Sequence, residues 1–352
     1  MSLRQMVGGR LSRQRNRERT KHLHRYALTG ILLTGAITGS ILVTAIINSL
    51  GLKEQSVELG ATFSKKYATE LGLDWRATYL ATLDDLEVRA LRIPVYWDEI
   101  EIEPGQFDFS DVDWQLHAAN QRGTKIILAI GLKVPRWPEC HIPAWGQDLE
   151  DEALHARTMM MLQNVVQHYS SSPEFFAWQV ENEPFFPFGD CPRIDRSQLQ
   201  SEVDLVRALD DRPIVITDAG ELSDWVRAAS IGDILGISTY RDVWNKYLGH
   251  LFWPIGPRWY AARLKAIRPL VDDVFVSELQ TEPWSPGPIL DWDIDEQLEH
   301  MNPTKLNENL AFARQMGVSE VYVWGIEWWY WLKMQGHPEM WEAGRQVFQP
   351  NL

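Results

Sequence analysis

The sequence of 352 residues has few of the residues that build metal sites. It contains two cysteines and nine histidines, and none of them follows the spacing of a metal-binding motif. His22 and His24 lie in a basic segment, and the other histidines are scattered. We therefore expect neither a metal ion nor any other cofactor.

The chain also lacks the glycine-rich turn that binds nucleotide phosphates. The first predicted strand, Leu59–Phe63, leads into residues 64–66 without such a turn. An open, doubly wound α/β sheet usually carries one at this point, so its absence counts against that fold. From Val57 to about Phe348 there is no low-complexity linker and no repeat of solenoid length, which indicates one domain.

Charged residues are absent from Tyr26 to Leu52. About 20 apolar residues are enough to cross a bilayer, and Ile31–Leu50 is rich in apolar and small residues. Residues 1–25 in front of it carry eight basic residues and one acidic residue. A basic flank favours a cytoplasmic N-terminus. The pattern predicts a basic cytoplasmic tail (1–25), a transmembrane signal anchor (26–52) and an extracytoplasmic domain (53–352).

A cleaved signal peptide is the alternative for this segment. The apolar core of a signal peptide normally spans about 7–15 residues and is followed by a small-residue cleavage site. The run here is longer, and no clear A-x-A site follows it. We therefore expect a single-pass protein of the cell membrane, with secretion after cleavage as the alternative.

The remainder of the chain is strongly acidic. Beyond residue 25 it has 26 lysines and arginines against 47 aspartates and glutamates. Binding nucleic acid through its phosphates needs a basic face, so nucleic acid is not an expected partner. An acidic exported domain is better suited to a neutral substrate.

Apolar runs of strand length alternate with helix-periodic segments in the domain. Such alternation predicts βα units and a parallel sheet, and eight predicted strands favour a (β/α)₈ TIM barrel. The third strand is apolar almost throughout, as is typical of a strand covered on both faces. The predicted strands are Leu59–Phe63, Val88–Tyr96, Lys125–Leu132, Phe175–Glu183, Pro213–Thr217, Ile234–Tyr240, Val274–Glu278 and Glu320–Trp324.

Two of these strands end in a glutamate. The fourth runs into Glu183, and the seventh ends in Glu278. Catalytic residues of a (β/α)₈ barrel lie at the C-terminal ends of its strands, so both side chains are expected on one rim. Two carboxyl groups there suit glycosidic bond cleavage, because one can protonate the leaving oxygen while the other attacks the anomeric carbon or activates water. Glu181, a pleat earlier, and Glu282, beyond the apolar run, fit these roles less well.

The stretch Trp178–Pro184 resembles the Asn-Glu-Pro motif on strand four of clan A glycoside hydrolases, the retaining (β/α)₈ enzymes. The resemblance implies that Glu183 is the general acid/base and Glu278 the nucleophile. Residues Leu91–Phe109 resemble the region after strand two in families 5 and 42. The third strand departs from family 5, because it ends without the histidine that is often found there. The motifs therefore indicate the clan and not a single family.

The same resemblance implies further site residues. Arg92 matches an arginine near the nucleophile, Tyr240 matches a residue that bonds the nucleophile, and Trp324 matches a tryptophan that forms a sugar platform. The amide of Asn182 is suited to bind a sugar hydroxyl.

Tryptophan is unusually frequent, with 17 residues. Aromatic faces stack on the C–H faces of sugars, so tryptophans near strand ends suit a carbohydrate cleft, whereas packing is the alternative. We expect Trp137, Trp284 and Trp324 in the cleft. The tryptophans in or just after predicted strand ends are Trp97, Trp137, Trp145, Trp284, Trp324, Trp328, Trp329 and Trp331.

The sequence thus predicts a membrane-anchored retaining glycosidase that acts on a β-linked oligo- or polysaccharide by double displacement. A transglycosylase with the same residues and an inactive glycan-binding protein are the alternatives. Cys140 and Cys191 fall in loops on the same predicted rim. In an oxidising compartment they could pair, so a disulfide and two free thiols both remain open.

Overall fold

The computed structural model describes residues 53–349. The predicted basic tail (1–25) and transmembrane anchor (26–52) lie outside the described residues. Within 53–349, the structure contains no helix that is both long and apolar enough to cross a membrane.

Eight parallel strands close into a barrel, which confirms the (β/α)₈ fold. The strands in chain order are β1 (Glu58–Thr62), β2 (Ala90–Pro94), β3 (Lys125–Ile130), β4 (Ala177–Val180), β5 (Ile214–Asp218), β6 (Ile234–Thr239), β7 (Asp242–Asn245), β8 (Gly249–Phe252), β9 (Asp273–Gln280) and β10 (Glu320–Trp324). The barrel order is β1-β2-β3-β4-β5-β6-β9-β10, and β10 pairs back onto β1.

Helices follow the barrel strands along the chain. They are α1 (Lys65–Glu70), α2 (Trp75–Asp84), α3 (Trp97–Ile100), α4 (Ser110–Asn120), α5 (Asp151–Tyr169), α6 (Arg196–Leu209), α7 (Val226–Ala229), α8 (Pro257–Ile267), α9 (Ile294–His300), α10 (Pro303–Arg314), α11 (Ile326–Met334) and α12 (Glu339–Phe348). The local sequence determines where several of these helices begin. Before α6, the Asp195 side chain accepts from the backbone of Gln198, whose own side chain accepts from the Asp195 backbone, a capping box.

The barrel interior changes from apolar to polar along the strands. Its lower layer is a small apolar cluster of Ala90, Ile127, Ala177, Val215, Phe275 and Tyr322. Because side chains alternate along a strand, the residues two positions further on also point inward, and several of these are polar. Arg92 Nε donates to Gln179 Oε1 at 2.6 Å, and Thr217 lies beside them. The polar layer therefore lies just below the C-terminal rim.

Three elements differ from the prediction. The segment after β6, expected to be a loop, contains the antiparallel hairpin β7–β8. Strand β9 does not end at Glu278 but continues to Gln280. The sequence predicts a short helix over Leu222–Ala229, but the structure reduces it to α7, because Trp225 adopts φ 67°, a left-handed conformation that prevents an earlier helix start.

Candidate active site

Glu183 and Glu278 lie at the same end of the barrel. Glu183 follows β4, and Glu278 is near the C-terminal end of β9. Both residues are buried, with exposed fractions of 7% and 4%. They are close enough for the charge of Glu278 to raise the pKa of Glu183. The structure thus brings the two predicted carboxyl groups together.

A β-bulge in β9 turns Glu278 towards the barrel interior. Phe275 belongs to the inward-facing apolar layer, and strict alternation would place Ser277 inward and Glu278 outward. The register between β9 and β6 shifts between Ile237 and Ser238, so β9 contains an extra residue there. The Glu278 side chain can therefore reach the polar layer.

Two donors hold the carboxylate of Glu278, one on each oxygen. Arg92, which is fully buried, donates from Nη1 to Oε1 at 2.9 Å. The hydroxyl of Tyr240 donates to Oε2 at 2.8 Å. Burial and the charge of Glu278 raise the pKa of Tyr240 well above its ordinary value, so this hydroxyl remains a donor. Glu278 is therefore fixed in orientation and paired with a positive charge.

Glu183 has a strained backbone and a shifted pKa. Its φ is 44°, a left-handed value that non-glycine residues seldom adopt. Its N–H donates to Thr217 Oγ1 at 2.9 Å, and its carboxyl accepts from the hydroxyl of Ser238. Burial first, and the charge of Glu278 second, raise its pKa to about 8. Glu183 is therefore protonated at neutral pH and can act as an acid.

Asn182 joins Arg92 and Thr217 of the polar layer to Glu139. Its Oδ1 accepts from Arg92 Nη2 at 2.5 Å and from Thr217 Oγ1 at 3.2 Å. Its Nδ2 donates to Glu139 Oε2 at 3.0 Å. Arg92 thus contacts Glu278 and Asn182 at once, as expected if it organises the site.

Glu139 is a third acid in this site that the sequence reasoning missed. It lies in the loop after β3 with φ 73° and is 5% exposed. Burial first, and the charge of Glu278 second, raise its pKa to about 7. Its sequence signal is weak, because it does not end a strand. The only indication is its position beside Cys140, in a loop expected on the same rim.

Thr217 and Ser238 were also missed, although β5 and β6 could have indicated them. Thr217 lies two residues beyond the inward-facing Val215, and Ser238 lies near the end of β6. A search for polar residues one pleat above the apolar layer would have found Thr217 and also Gln179.

Glu181 lies apart from Glu183 and Glu278 and bonds the backbone of a neighbouring loop. Its carboxylate accepts from the backbone N–H groups of Leu132 at 2.7 Å and Lys133 at 2.6 Å. The residue is completely buried, and burial raises its pKa well above the ordinary value. A side chain at Gly131 would collide with it, since an added Cβ would lie 2.3 Å from Glu181 Oε1. Glu181 therefore fixes the loop after β3.

Glu282 belongs to a buried ion-pair group beneath Trp324. Arg136 pairs with both Glu282 and Glu327, and Trp324 Nε1 donates to Glu282 Oε1 at 2.8 Å. The guanidinium of Arg136 lies 4.1 Å from the centre of the Trp324 ring, which is a cation–π contact. Trp324 is 7% exposed. Its ring is thus held firmly from one side at the end of β10.

The three tryptophans expected in the cleft belong to one row of aromatic side chains. Trp137 contacts Phe188 at 6.0 Å between ring centres, and Phe188 contacts Trp284 at 5.7 Å. Trp284 contacts Tyr240 at 5.3 Å, and Tyr240 contacts Trp324 at 6.4 Å. Trp137 is 60% exposed. The row therefore runs from an exposed ring to the residue that bonds Glu278.

The other tryptophans near strand ends pack into the core. Trp328, Trp329 and Trp331 lie in α11 and are buried, and Trp97 is fully buried at the start of α3. Packing was the alternative for these tryptophans, and the helix that begins at once after β10 turns Trp328, Trp329 and Trp331 towards the core.

A disulfide joins the loops that carry Glu139 and Glu183. Cys140 and Cys191 are bonded, with 5.3 Å between their Cα atoms. This settles the pairing that the sequence left open. Lys133 adds a second link, because its Nζ donates to the backbone carbonyls of Glu183 at 3.1 Å and Phe186 at 2.9 Å.

One cluster in the described residues has the composition of a cation site. Nδ1 of His250 and Nδ1 of His300 each lie 3.2 Å from an oxygen of Asp242, and the three residues could hold a metal ion. Lys305 Nζ also lies 3.5 Å from Asp242. These contacts already partner the carboxylate with a positive charge, and they brace the hairpin β7–β8 against α9.

Comparison with known proteins gives structural likeness alone. No protein-family model matches the sequence, and no curated protein matches it. A crystal structure of GH5_18 from Streptomyces cattleya in complex with GlcNAc is similar, with 15% identity, a TM-score of 0.53, and coverage of 77% of this chain and 71% of that chain.

Two other similar structures carry names of glycoside-cleaving enzymes. An exo-β-1,4-mannosidase from Opitutaceae bacterium strain TAV5 has 16% identity and a TM-score of 0.55, covering 77% of this chain and 52% of that one. This chain thus spans about half the length of the mannosidase. Endo-glycoceramidase II from Rhodococcus sp., as a lactosyl-enzyme intermediate, has 14% identity and a TM-score of 0.50, covering 78% and 75%.

At these identities the likeness shows a shared fold. The resemblance to clan A that the Asn-Glu-Pro motif suggested is therefore confirmed at the level of the (β/α)₈ barrel.

Proposed function

We propose that the described domain is a retaining glycosidase that hydrolyses β-linked oligo- or polysaccharides. One observation carries the proposal: Glu278 is held by Arg92 and Tyr240, while the neighbouring Glu183 has its pKa raised to about 8. A nucleophilic carboxylate and a protonated acid on one rim are what double displacement needs. The names of the similar solved structures support the same reaction class.

In the first step, an oxygen of Glu278 attacks the anomeric carbon. The bond from that carbon to the leaving oxygen breaks, and Glu183 transfers its proton to this oxygen. Arg92 and Tyr240 keep the attacking carboxylate in one orientation, so little entropy is lost on reaching the transition state. The products of this step are the released alcohol and an ester between the sugar and Glu278.

In the second step, water attacks the same carbon. The ester bond to Glu278 breaks, and the ionised Glu183 takes the proton of the water. Esterification has removed the negative charge of Glu278, which had helped to raise the pKa of Glu183. The pKa of Glu183 therefore falls after the first step, and the acid of that step becomes the base of the second.

The aromatic row suits a sugar substrate. Rings from Trp137 to Trp324 extend from an exposed position to the nucleophile, and aromatic faces can stack on pyranose C–H groups. We propose that this row binds successive sugar units next to the scissile bond.

Azide rescue of two variants tests the mechanism. Glu183→Ala should lose roughly 10²–10⁴-fold in kcat/KM on substrates with poor leaving groups, and much less on a 4-nitrophenyl glycoside. Azide should restore its turnover and give a β-glycosyl azide. Glu278→Ala should be inactive, and azide should give the α-glycosyl azide.

Glu320→Gln is the matched control, because Glu320 lies at the N-terminal end of β10 and pairs with Lys125. It should keep wild-type activity. Inverted configuration in the first product, followed by NMR, would contradict the proposal, as would full activity of Glu278→Ala.

We further propose that residues 26–52 hold the domain at the outer face of the cell membrane. The uncharged segment and the eight basic residues before it support this orientation. The full-length chain should remain in the membrane fraction after alkaline carbonate washing, whereas deletion of 26–52 should release it. Recovery of the full-length chain in the soluble fraction would contradict this proposal.

A further inference from the structure

Glu139 is the acid in the site for which double displacement has no use. Its Oε2 accepts from Asn182 Nδ2 at 3.0 Å. It lies near both Glu278 and Glu183. The charge of Glu278 raises the pKa of Glu139, and the charge of Glu139 raises the pKa of Glu183. The loop behind it is closely packed, because an added Cβ at Gly189 would lie 2.7 Å from the Cβ of Glu139. Glu139 therefore packs closely against the loop that contains Gly189.

The carboxylate of Glu139 has no cation of its own. Within residues 53–349 it takes part in no salt bridge. The charges of Lys133 and Arg92 lower the pKa of Glu139, but neither residue bonds its carboxylate, since Lys133 Nζ donates to the backbone carbonyls of Glu183 and Phe186. Arg92 uses its Nε and Nη2 on Gln179 and Asn182. A buried carboxylate without a paired cation is costly to the fold.

A purely structural role does not require this charge. Orienting Asn182 takes one acceptor oxygen, and a neutral glutamine could supply it without the repulsion from Glu278. The second oxygen of Glu139 accepts from no donor within the described residues. This oxygen is also not fully enclosed by protein atoms of the described residues. The charge and the free oxygen together fit a cationic ligand.

We propose that Glu139 binds a protonated amino group on the substrate, so that the enzyme acts on β-glycosides of an amino sugar. The inference rests on the proposed glycosidase function and names its substrate class. Glu278 attacks the anomeric carbon, and Glu139 is near Glu278 and shares Asn182 with Arg92. The amino group would therefore lie on the carbon next to the anomeric centre, as in a 2-amino-2-deoxy sugar.

The electrostatics of the site favour such a ligand. An ammonium group beside Glu139 and Glu278 lies in the field of two carboxylates in a low-dielectric pocket, where charge interactions are strong. The acidic composition was expected to suit a neutral substrate, but its negative charge also attracts a cation. An N-acetyl group removes the charge and adds bulk, so N-acetylated sugars should be poor substrates.

The test compares three 4-nitrophenyl β-glycosides, those of glucosamine, glucose and N-acetylglucosamine, on the full-length chain at pH 7. The wild type should prefer the glucosaminide. Glu139→Gln should lower kcat/KM for the glucosaminide at least roughly tenfold, which is the loss expected from removing one partner of a buried charge pair. The effect should be mainly on KM, and the glucoside should change by less than about threefold.

Asp190→Asn is the matched control, because it removes an exposed carboxylate from the neighbouring loop. It should leave all three substrates unchanged. The preference for the glucosaminide should also weaken as the pH falls below about 7, where Glu139 takes up a proton. An equal loss on all three substrates in Glu139→Gln would overturn the proposal and assign Glu139 to positioning Asn182.

Binding separates this proposal from the glycosidase function. Calorimetry on Glu183→Gln should show tighter binding of a β-1,4-glucosamine oligosaccharide than of a cello-oligosaccharide, and the added Glu139→Gln change should abolish the difference. If the glucosamine oligosaccharide binds more tightly but the wild type hydrolyses no glycoside, the amino-sugar site is supported and the glycosidase function is contradicted. If the wild type hydrolyses neutral β-glycosides and shows no preference for the glucosaminide, the glycosidase function is supported and the amino-sugar site is contradicted.

Discussion

The hydroxyl of Ser238 donates a hydrogen bond to Oε1 of Glu183. This bond favours the ionised form of Glu183 and lowers its pKa, whereas burial and the charge of Glu278 raise it more strongly, to about 8. In the proposed mechanism the free enzyme needs Glu183 protonated. The value of kcat/KM should therefore fall as the pH rises through about 8.

Ser238→Ala should move this alkaline limb to higher pH. Removing a donor to a carboxylate costs the ionised form about 1.5 kcal/mol, or about one pKa unit, so the pKa of Glu183 rises further. The measurement is kcat/KM between pH 5 and 10. Ser277→Ala is the control, since Ser277 Oγ is buried without a partner in the described residues. An alkaline limb that stays at the same pH in Ser238→Ala would show that this limb does not report the ionisation of Glu183.

Tyr240→Phe should lower kcat/KM by about 10–100-fold without unfolding the protein. The hydroxyl holds Oε2 of Glu278 at 2.8 Å, and its loss leaves the carboxylate free to rotate about its contact with Arg92. Small displacements of a reacting group cost up to about 10²-fold in rate. Steady-state kinetics and circular dichroism would check both parts.

Tyr322→Phe provides the comparison for this variant. Tyr322 is also fully buried in the barrel, but its hydroxyl donates to Glu320 at 3.2 Å at the opposite end. Its activity should stay near that of the wild type. If both variants lose activity equally, the loss reports the loss of a buried hydroxyl in general and not the positioning of Glu278.

Removing the disulfide should destabilise the domain. Cys140 and Cys191 are separated by 51 positions in the sequence, and a crosslink closing a loop of this size stabilises by about 4 kcal/mol in the chain-entropy account. The double variant Cys140→Ser/Cys191→Ser should show this loss in the free energy of unfolding by urea. Reductant should weaken the wild type and leave the double variant unchanged, and equal stability of the two proteins would contradict the prediction.

The barrel and its two glutamates could be predicted because they depend on local signals. Apolar strands alternate with helices, and Glu183 lies in a short motif, so periodicity and one resemblance were enough. Glu278 was predicted correctly as a site residue, although the strand end assumed for it was wrong. It was expected to end its strand, yet β9 continues to Gln280, and only a bulge turns the side chain inward. One extra residue in a strand has no compositional signature.

Neither Glu139 nor the hairpin β7–β8 could be predicted from the sequence, and the reasons are related. Glu139 reaches the site through a left-handed backbone in a loop that is fixed by a disulfide and by Lys133, all of which depend on distant residues. The hairpin is only partly buried, so its strands lack the regular alternation that burial on one face produces. Tertiary contacts decide both features.

Glu202 in α6 shares a buried position with Glu181. Its Oε2 is buried and has no hydrogen-bond partner in the described residues. Burial first, and the charge of Glu202 second, raise the pKa of Glu181 well above its ordinary value. Burial raises the pKa of Glu202 from its ordinary value of 4.5 to about 8. Nδ1 of His155 lies 3.3 Å from its other oxygen.

This shift should make the domain less stable as the pH rises. Below pH 4.5 the carboxyl of Glu202 is protonated in both the folded and the unfolded chain, so it costs nothing. Between about 4.5 and 8 the unfolded chain loses this proton while the folded chain keeps it, so the unfolded state binds fewer protons and stability falls with pH. Above about 8 the full penalty is present.

Glu202→Gln should remove most of this pH dependence, because an amide does not titrate in this range. We expect the variant to be more stable than the wild type at pH 8.5 by at least about 2 kcal/mol, and the advantage to shrink towards pH 5. Urea unfolding across this range measures it. Asp204→Asn, an exposed change on the same helix, should leave the profile unaltered. A variant that is less stable than the wild type at every pH would show that Glu202 is held ionised, with protonated His155 as its partner.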